Sequence, residues 1–221
     1  MLSLTPSMTL ADLAIERPGA SRIFHRLGLD FCCGGKRPLA EVCAERNLDV
    51  DEILARIAAE DPQPEGDRWT DRPVSELVDF IVSHYHARLR EELPEVVALA
   101  RRVEQRHGDK PTCPRGLSDH LEAVHAAVLD HLAKEEQILF PLIVRGEAEM
   151  AAGPVQVMEY EHDDHGRNLA IIRELTDNLT PPEEACTSWR ALYLRLEALE
   201  AELMEHIHLE NHVLFPRALN A

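Results

Sequence analysis

Residues 131–141 read HLAKEEQILFP, and residues 206–216 read HIHLENHVLFP. Each window opens on a His, places a Glu four residues later and closes on Leu-Phe-Pro. On an α-helix, residues i and i+4 share one face with Cβ atoms ~5–6 Å apart. His131 and Glu135 are therefore predicted to point at one location, as are His206 and Glu210. Their neighbours orient that face: His131 shares its stripe with Val124, Val128, Leu132 and Ile138, and His206 with Leu199, Leu203, Leu209 and Val213. Carboxylates are almost never fully buried without a partner, so two Glu beside two His on core-facing stripes call for a cation. His208 and His212 fall off the inward stripe and are expected to be ordinary. Pro141 and Pro216 cannot donate to an i−4 carbonyl, so each helix is predicted to end or kink there.

The doubling extends upstream. His86 lies 45 residues before His131, and His162 lies 44 residues before His206, so the second pair of helices echoes the first. Four segments with helical periodicity, about 73–106, 117–145, 154–178 and 186–214, are separated by HGDKPTCPRG, RGEAEMAAGP and DNLTPPEEAC. Each separator carries Gly, Pro or both, and no segment alternates as a strand would. The expected fold class is all-α, with an antiparallel four-helix bundle over residues 73–221. A small helical, cysteine-containing N-terminal domain is expected over 1–58, and a linker rich in Pro, Gly and charge over 59–72. In the small domain Thr9 is the N-cap candidate, GLDFCCGGK forms a glycine-rich turn, and PLAEVCAERNLDVDEILARIAAE continues as helix. Roughly 60 residues is marginal for an independent fold, so this domain is expected to dock on the rest.

The first and third bundle helices are expected to supply the remaining ligands. In FIVSHYHARLREEL, His86 shares its face with Val82, Leu89 and Leu93, whereas His84 runs into Ala87, Arg88 and Glu91 and belongs to the rim. In VMEYEHDDHGRNL, periodicity does not separate His162 from His165; the spacing echo favours His162. Four imidazoles and two carboxylates form a nitrogen–oxygen set for one or two metals. If each Glu bridges, two ions each receive two imidazoles and two carboxylate oxygens and keep open positions. Such a set suits Fe or Mn better than four-coordinate Zn.

The net charge of −17, from 40 acidic against 23 basic residues, excludes nucleic acid and anionic membrane as main partners. No apolar run of membrane-spanning length exists, and the N-terminus lacks the features of a secretion signal, so a cytoplasmic location is expected. Five scattered cysteines, Cys32, Cys33, Cys43, Cys113 and Cys186, fit a reducing compartment rather than a disulfide framework. Cys32 and Cys33, followed by Gly34 and Gly35, suggest an accessible turn that acts as a redox pair or a transfer relay for iron or nitric oxide; Cys43 is placed to approach them.

The paired motifs and their upstream histidines resemble the hemerythrin-like di-iron domain. LGLDFCCGGKRPLAEVCAERNLD resembles the short cysteine-bearing domain that precedes it in the iron–sulfur cluster repair di-iron proteins, the RIC family. The resemblance implies a non-haem centre of two Fe per chain, bridged by oxo or hydroxo and by carboxylate. Its ligands would be His86, His131, His162 and His206, with Glu135 and Glu210 as the bridges. It further implies repair of iron–sulfur clusters damaged by nitrosative or oxidative stress, through iron donation to damaged iron–sulfur proteins or reduction of nitric oxide to nitrous oxide. NO or O2 would be the small ligands and an external reductant would be needed; a homodimer is compatible with it. Two departures matter. Gly166 stands where oxygen-carrying hemerythrins place a fifth histidine, which weighs against reversible O2 transport. Ala126 and Ala127 stand where acidic residues can assist iron or proton movement, leaving Glu161 to serve as relay. The competing readings are a ferritin-like iron oxidase or storage protein, for which EAVH (122–125) and EYEH (159–162) offer weak Glu-x-x-His matches, and a non-enzymatic O2 or NO sensor.

Overall fold

The computed structural model describes residues 4–60 and 68–220. Residues 61–67 of the expected linker lie outside the described residues. The chain packs as two bodies: the residues up to Leu77 together with those from Met204 onward, and Val78–Leu203. Among the described residues there is no strand, only an isolated bridge between Thr9 and Pro38.

In the first body, α1 (Leu10–Glu16) starts at Thr9, whose hydroxyl accepts the Asp12 N–H while the Asp12 carboxylate accepts the Thr9 N–H. Helix α2 (Gly19–Leu27) stops where Gly28 turns left-handed, at φ 65°. The stretch read as one continuing helix divides into α3 (Leu39–Arg46) and α4 (Val50–Ala58). Asn47 ends α3 at φ 54°, one of the few non-glycine types that tolerate that region, and Asp49 caps α4 by accepting the N–H groups of Asp51 and Glu52. Leu10, Leu13, Phe24, Phe31, Leu39 and Ile57 form the core, with Met204 packed against it. Each fully buried side chain of this kind stabilises by ~1.5–3 kcal/mol. The C-terminal segment is thus built into this body and adds apolar area to a unit otherwise marginal in size.

The second body contains most of four helical rods. The first is α5 (Val74–Phe80), a π turn at Ile81–His86 and α6 (Ala87–His107); the second is α7 (Leu117–Lys134), a π turn at Glu135–Leu139 and α8 (Phe140–Val144). The third is α9 (Ala148–Leu175). The fourth, α10 (Thr187–Leu209), is followed by a π turn at Glu210–Leu214 and α11 (Phe215–Leu219). Cross-helix contacts make neighbours antiparallel: Glu104 meets Ser118 and Arg101 meets Glu122, while His120 meets the Asn168 carbonyl and His131 meets Glu161. Similarly Arg195 meets Glu92 and Arg88 meets Glu202. Arg173 forks onto the buried Glu200 at 2.5 and 2.6 Å, tying α9 to α10. Leu89, Val96, Val124, Leu169, Trp189 and Leu196 are buried among them.

Two expected boundaries move. Helix α9 begins at Ala148 rather than near 154, because Gly146, at φ 72°, makes the break. Pro154 sits inside α9 and denies a donor to the carbonyl of Met150, an exposed residue near the start of the helix. Leu-Phe-Pro also does not end its helices. The chain runs on through α8 to Val144 and through α11 to Leu219, after a π turn in each case.

Candidate metal centre

Among the described residues three π turns interrupt otherwise α-helical rods, and each begins or ends at an expected ligand: His86 closes the first, Glu135 opens the second and Glu210 opens the third. Such single-turn widenings concentrate at functional sites. The local sequence explains them. Pro141 and Pro216 follow directly and lack the N–H that would bond the carbonyl four residues back, so they mark where the α register is interrupted without making the widened bond themselves. The Phe140 N–H reaches the Glu135 carbonyl and the Phe215 N–H reaches the Glu210 carbonyl, five residues back. In the first turn the Ser83 hydroxyl donates to the Asp79 carbonyl at 2.6 Å, competing with the backbone, and the Ala87 N–H bonds the Val82 carbonyl instead.

In the second body His86, His131, Glu135 and His162 converge, all buried, with Glu135 0% exposed. The His86 Nδ1–H donates to Glu136 Oε1 at 2.7 Å, and the His131 Nδ1–H donates to Glu161 Oε2 at 2.9 Å. A carboxylate only accepts, so in each neutral ring the proton sits on Nδ1 and the lone pair on Nε2. Those two Nε2 atoms lie 3.4 Å from Glu135 Oε2 and Oε1 respectively. Ligand atoms of His131, Glu135 and His162 fall within 4.8 Å of one another. Lone pairs turned toward a buried carboxylate, with the opposite ring nitrogens held by carboxylates, form the histidine–carboxylate pattern of metal sites. The donor set of neutral imidazoles around one buried carboxylate fits a cation, which would lie between atoms that otherwise repel.

The outer carboxylates are themselves anchored. Burial opposes ionisation of Glu136, but hydrogen bonds from Arg90 and His86 outweigh it and hold the carboxyl below its usual range. Glu161 also accepts from Lys134 at 2.5 Å, and the bonds to Asp130 and Glu161 push the Lys134 ammonium up. His165 is also buried, its ring edge-on to His131 with centroids 4.9 Å apart. In the first body His206 and Glu210 are buried as a pair, ring Nε2 to Oε1 2.9 Å.

The family model of the hemerythrin HHE cation-binding domain matches residues 77–218, and that of a domain of unknown function, DUF542, matches residues 6–61. The chain is 50% identical over 214 residues to an iron-sulfur cluster repair protein YtfE of Yersinia pseudotuberculosis serotype O:1b (strain IP 31758), covering 96% of this chain and 97% of that protein. It is 49% identical, over the same shares, to iron-sulfur cluster repair protein YtfE of Yersinia pestis (strain Pestoides F). The chain belongs to the iron-sulfur cluster repair protein family. Within that family's helical hemerythrin-type architecture, no helix among the described residues is long and apolar enough to cross a membrane.

The cysteine turn of this repair-family chain differs from expectation. Cys32 is 3% exposed and Cys33 half-buried, with sulfurs 3.7 Å apart. Asp30 Oδ1 accepts both backbone N–H groups at 3.2 and 2.9 Å. The hydrogen bond with Cys33 and burial, followed by the charges of Cys33 and Asp30, push the Cys32 thiol well up, so it is protonated rather than a ready nucleophile. Cys43 is buried in the first-body core.

His208 and His212 are not ordinary. The His208 ring packs against Phe31 at 5.6 Å, and burial pushes it down to about 3. The His212 Nε2–H donates to the Cys32 carbonyl at 2.9 Å, and the Asn211 amide donates to the same oxygen at 3.1 Å. The ferritin-type match at 122–125 falls outside the cluster, since Glu122 is exposed and paired with Arg101. His84, read as a rim residue, is exposed and stacks on Phe80. Sequence reasoning missed Glu136, although KEEQ places it next to Glu135, and it missed the widened turns, although Ser83 and the two prolines foreshadow them.

Proposed function

We propose that His86, His131, Glu135, His162, His206 and Glu210 hold two iron ions per chain, with Glu135 and Glu210 as bridges. The chain would then repair iron–sulfur clusters damaged by nitrosative or oxidative stress, in the cytoplasm, on damaged iron–sulfur proteins as clients. The observation that carries this reading is the paired locking of His86 and His131. Each gives its Nδ1 proton to an outer carboxylate and turns its Nε2 lone pair to the same buried Glu135. The doubled sequence motif and a hemerythrin-type match that spans 77–218 support the inclusion of His206 and Glu210. The Yersinia relatives are named for iron–sulfur cluster repair, which supports the client class.

When bound, the iron pair supplies two adjacent redox-active cations able to take up small ligands such as NO or O2. The protein's own work is to orient and to move protons. Glu136 and Glu161 fix the ring tautomers and raise the basicity of the ligating nitrogens. Glu161, bonded to His131 and Lys134 and about one-fifth exposed, is suited to relay a proton between the cluster and water. An all nitrogen–oxygen donor set holds ferrous iron less tightly than thiolates would, which suits iron donation as well as reduction of nitric oxide to nitrous oxide with an external reductant.

Metal analysis and Mössbauer spectroscopy on anaerobically purified protein test the centre, with two irons in one coupled pair expected. Incubation of that protein with a nitric-oxide-damaged iron–sulfur enzyme tests repair, and nitrous oxide formation with a reductant tests catalysis. A protein that stores a large iron core, or that never restores the damaged enzyme, contradicts the reading.

A further inference from the structure

We propose that the cysteine turn at residues 30–35 positions Glu210, acting through Asn211 and His212; this deepens, and rests on, the assignment of Glu210 to the iron pair. Glu210 opens a π turn whose own register bond, Phe215 N–H to the Glu210 carbonyl, spans five residues. The two residues that follow Glu210 both donate to one acceptor, the Cys32 carbonyl, from Asn211 Nδ2 at 3.1 Å and His212 Nε2 at 2.9 Å. One turn before His212, His208 packs on Phe31, so three residues of the segment are held by two adjacent residues, Phe31 and Cys32. Asn211 is buried, where losing a hydrogen-bond acceptor is costly. Gly35 shows how closely the two pieces are fitted: a Cβ there would lie 2.6 Å from His212 Nε2 and 2.3 Å from the Phe31 carbonyl oxygen. A side chain at Gly35 is thus excluded first by the Phe31 carbonyl of the turn itself and also by His212, 177 positions on.

The carbonyl that receives both bonds belongs to Cys32 itself, so the setting of the thiols and the setting of Glu210 are linked, and linkage is reciprocal. Iron that fixes Glu210 should steady the cysteine turn, and release of the turn should loosen Glu210. Asn211, His212 and the Cys32 carbonyl are positioning groups in this scheme and touch no iron.

The test uses the full chain, metal-free and loaded with ferrous iron under anaerobic conditions, with iodoacetamide alkylation of Cys32 and Cys33 followed by mass spectrometry. Iron is expected to slow alkylation of Cys32 by at least about fivefold, the lower end of coupling between linked sites. In Asn211→Ala/His212→Ala that difference should collapse and the Mössbauer parameters of the bound iron should change, with the far-ultraviolet circular dichroism retained. His212→Gln, which keeps a donor, should restore part of both signals; Gly35→Ala should reproduce the loss by displacing the Phe31 carbonyl of the turn together with His212. If wild-type chain loads two irons but alkylates equally with and without them, and the double variant keeps the wild-type Mössbauer spectrum, the positioning role is wrong while the iron assignment stands. If wild-type chain loads no iron, the assignment itself fails and takes this inference with it. Should the double variant lose its helical signal, the wild-type comparison and His212→Gln decide the matter alone.

Discussion

The π turn at Glu135–Leu139 and the π turn at Glu210–Leu214 have the same length, the same first residue and the same Phe-Pro successor. The next residue separates them. After Glu135 comes Glu136, a carboxylate that accepts from His86 and Arg90 and so serves a neighbouring histidine. After Glu210 comes Asn211, an amide that donates to the Cys32 carbonyl and so serves the N-terminal turn. One doubled motif therefore supports two different jobs: one copy tunes imidazoles, the other fastens a segment. The two copies share their inward His and Glu, while the residue one step off the inward face, Glu136 in one and Asn211 in the other, serves a different neighbour.

The largest expected effect comes from removing what the two copies share. Glu135→Ala with Glu210→Ala should abolish the coupled iron pair, read as iron content and as loss of its Mössbauer signature. Iron content at the wild-type level in that double variant would falsify the bridging assignment for both copies at once. Next come the outer carboxylates, which belong to the first copy's environment alone. Glu136→Ala or Glu161→Ala removes the acceptor that fixes a histidine tautomer, and losses of about 10- to 100-fold in iron affinity are expected for partners of this kind. Competition with a ferrous chelator measures it. If neither substitution moves the affinity, the histidine locking at the heart of the metal reading has no functional weight.

Much of this is legible in the sequence. The four rods, the Thr9 cap, the inward His86, His131 and His206 and the rim position of His84 follow from periodicity and capping chemistry. What periodicity does not carry is the identity of a partner on another helix. Glu136 and Glu161 look like surface acids along their own helices, and their value comes from His86, fifty positions away, and His131, thirty away. The same limit applies to His208 and His212, off the inward stripe by helical phase yet turned to Phe31 and Cys32. The continuous helix expected over 38–60 failed for a local reason that NLD displayed: Asn47 accepts a left-handed φ and Asp49 is a capping residue. The accessible turn expected at Cys32 is buried instead, because the Gly-Gly pair does not confer freedom: at Gly35 it marks close approach.

A smaller effect sharpens the contrast between Glu136 and Asn211. Asn211→Asp keeps shape but turns a donor into an acceptor facing the Cys32 carbonyl. A loss of about 1–3 kcal/mol in unfolding free energy is expected, the cost of a buried polar group left facing a like partner. Glu136→Gln, by contrast, still offers His86 an acceptor oxygen and should cost less stability while lowering iron affinity. Chemical denaturation of the metal-free variants, alongside iron titration of each, separates the two: equal stability losses with equal affinity losses would erase the distinction drawn between the copies.

The smallest effect concerns the prolines that first drew attention to both windows. If Pro141 and Pro216 were helix stops, replacing them would lengthen or redirect the helices and disturb the ligands just before them. The bonds say otherwise. The five-residue closure is made by the N–H groups of Phe140 and Phe215, one residue before each proline, and the helices already continue beyond it. Pro141→Ala and Pro216→Ala restore an N–H and release backbone entropy in the unfolded chain, opposing terms that together stay within about 1 kcal/mol. Each single variant should therefore keep its iron content and Mössbauer spectrum, with only a slight shift in denaturation midpoint. A large loss of iron in either would mean that the proline, rather than the five-residue bond to the Glu135 or Glu210 carbonyl, sets the widened turn. That loss appearing in one copy and not the other would extend the asymmetry from the side chains into the backbone.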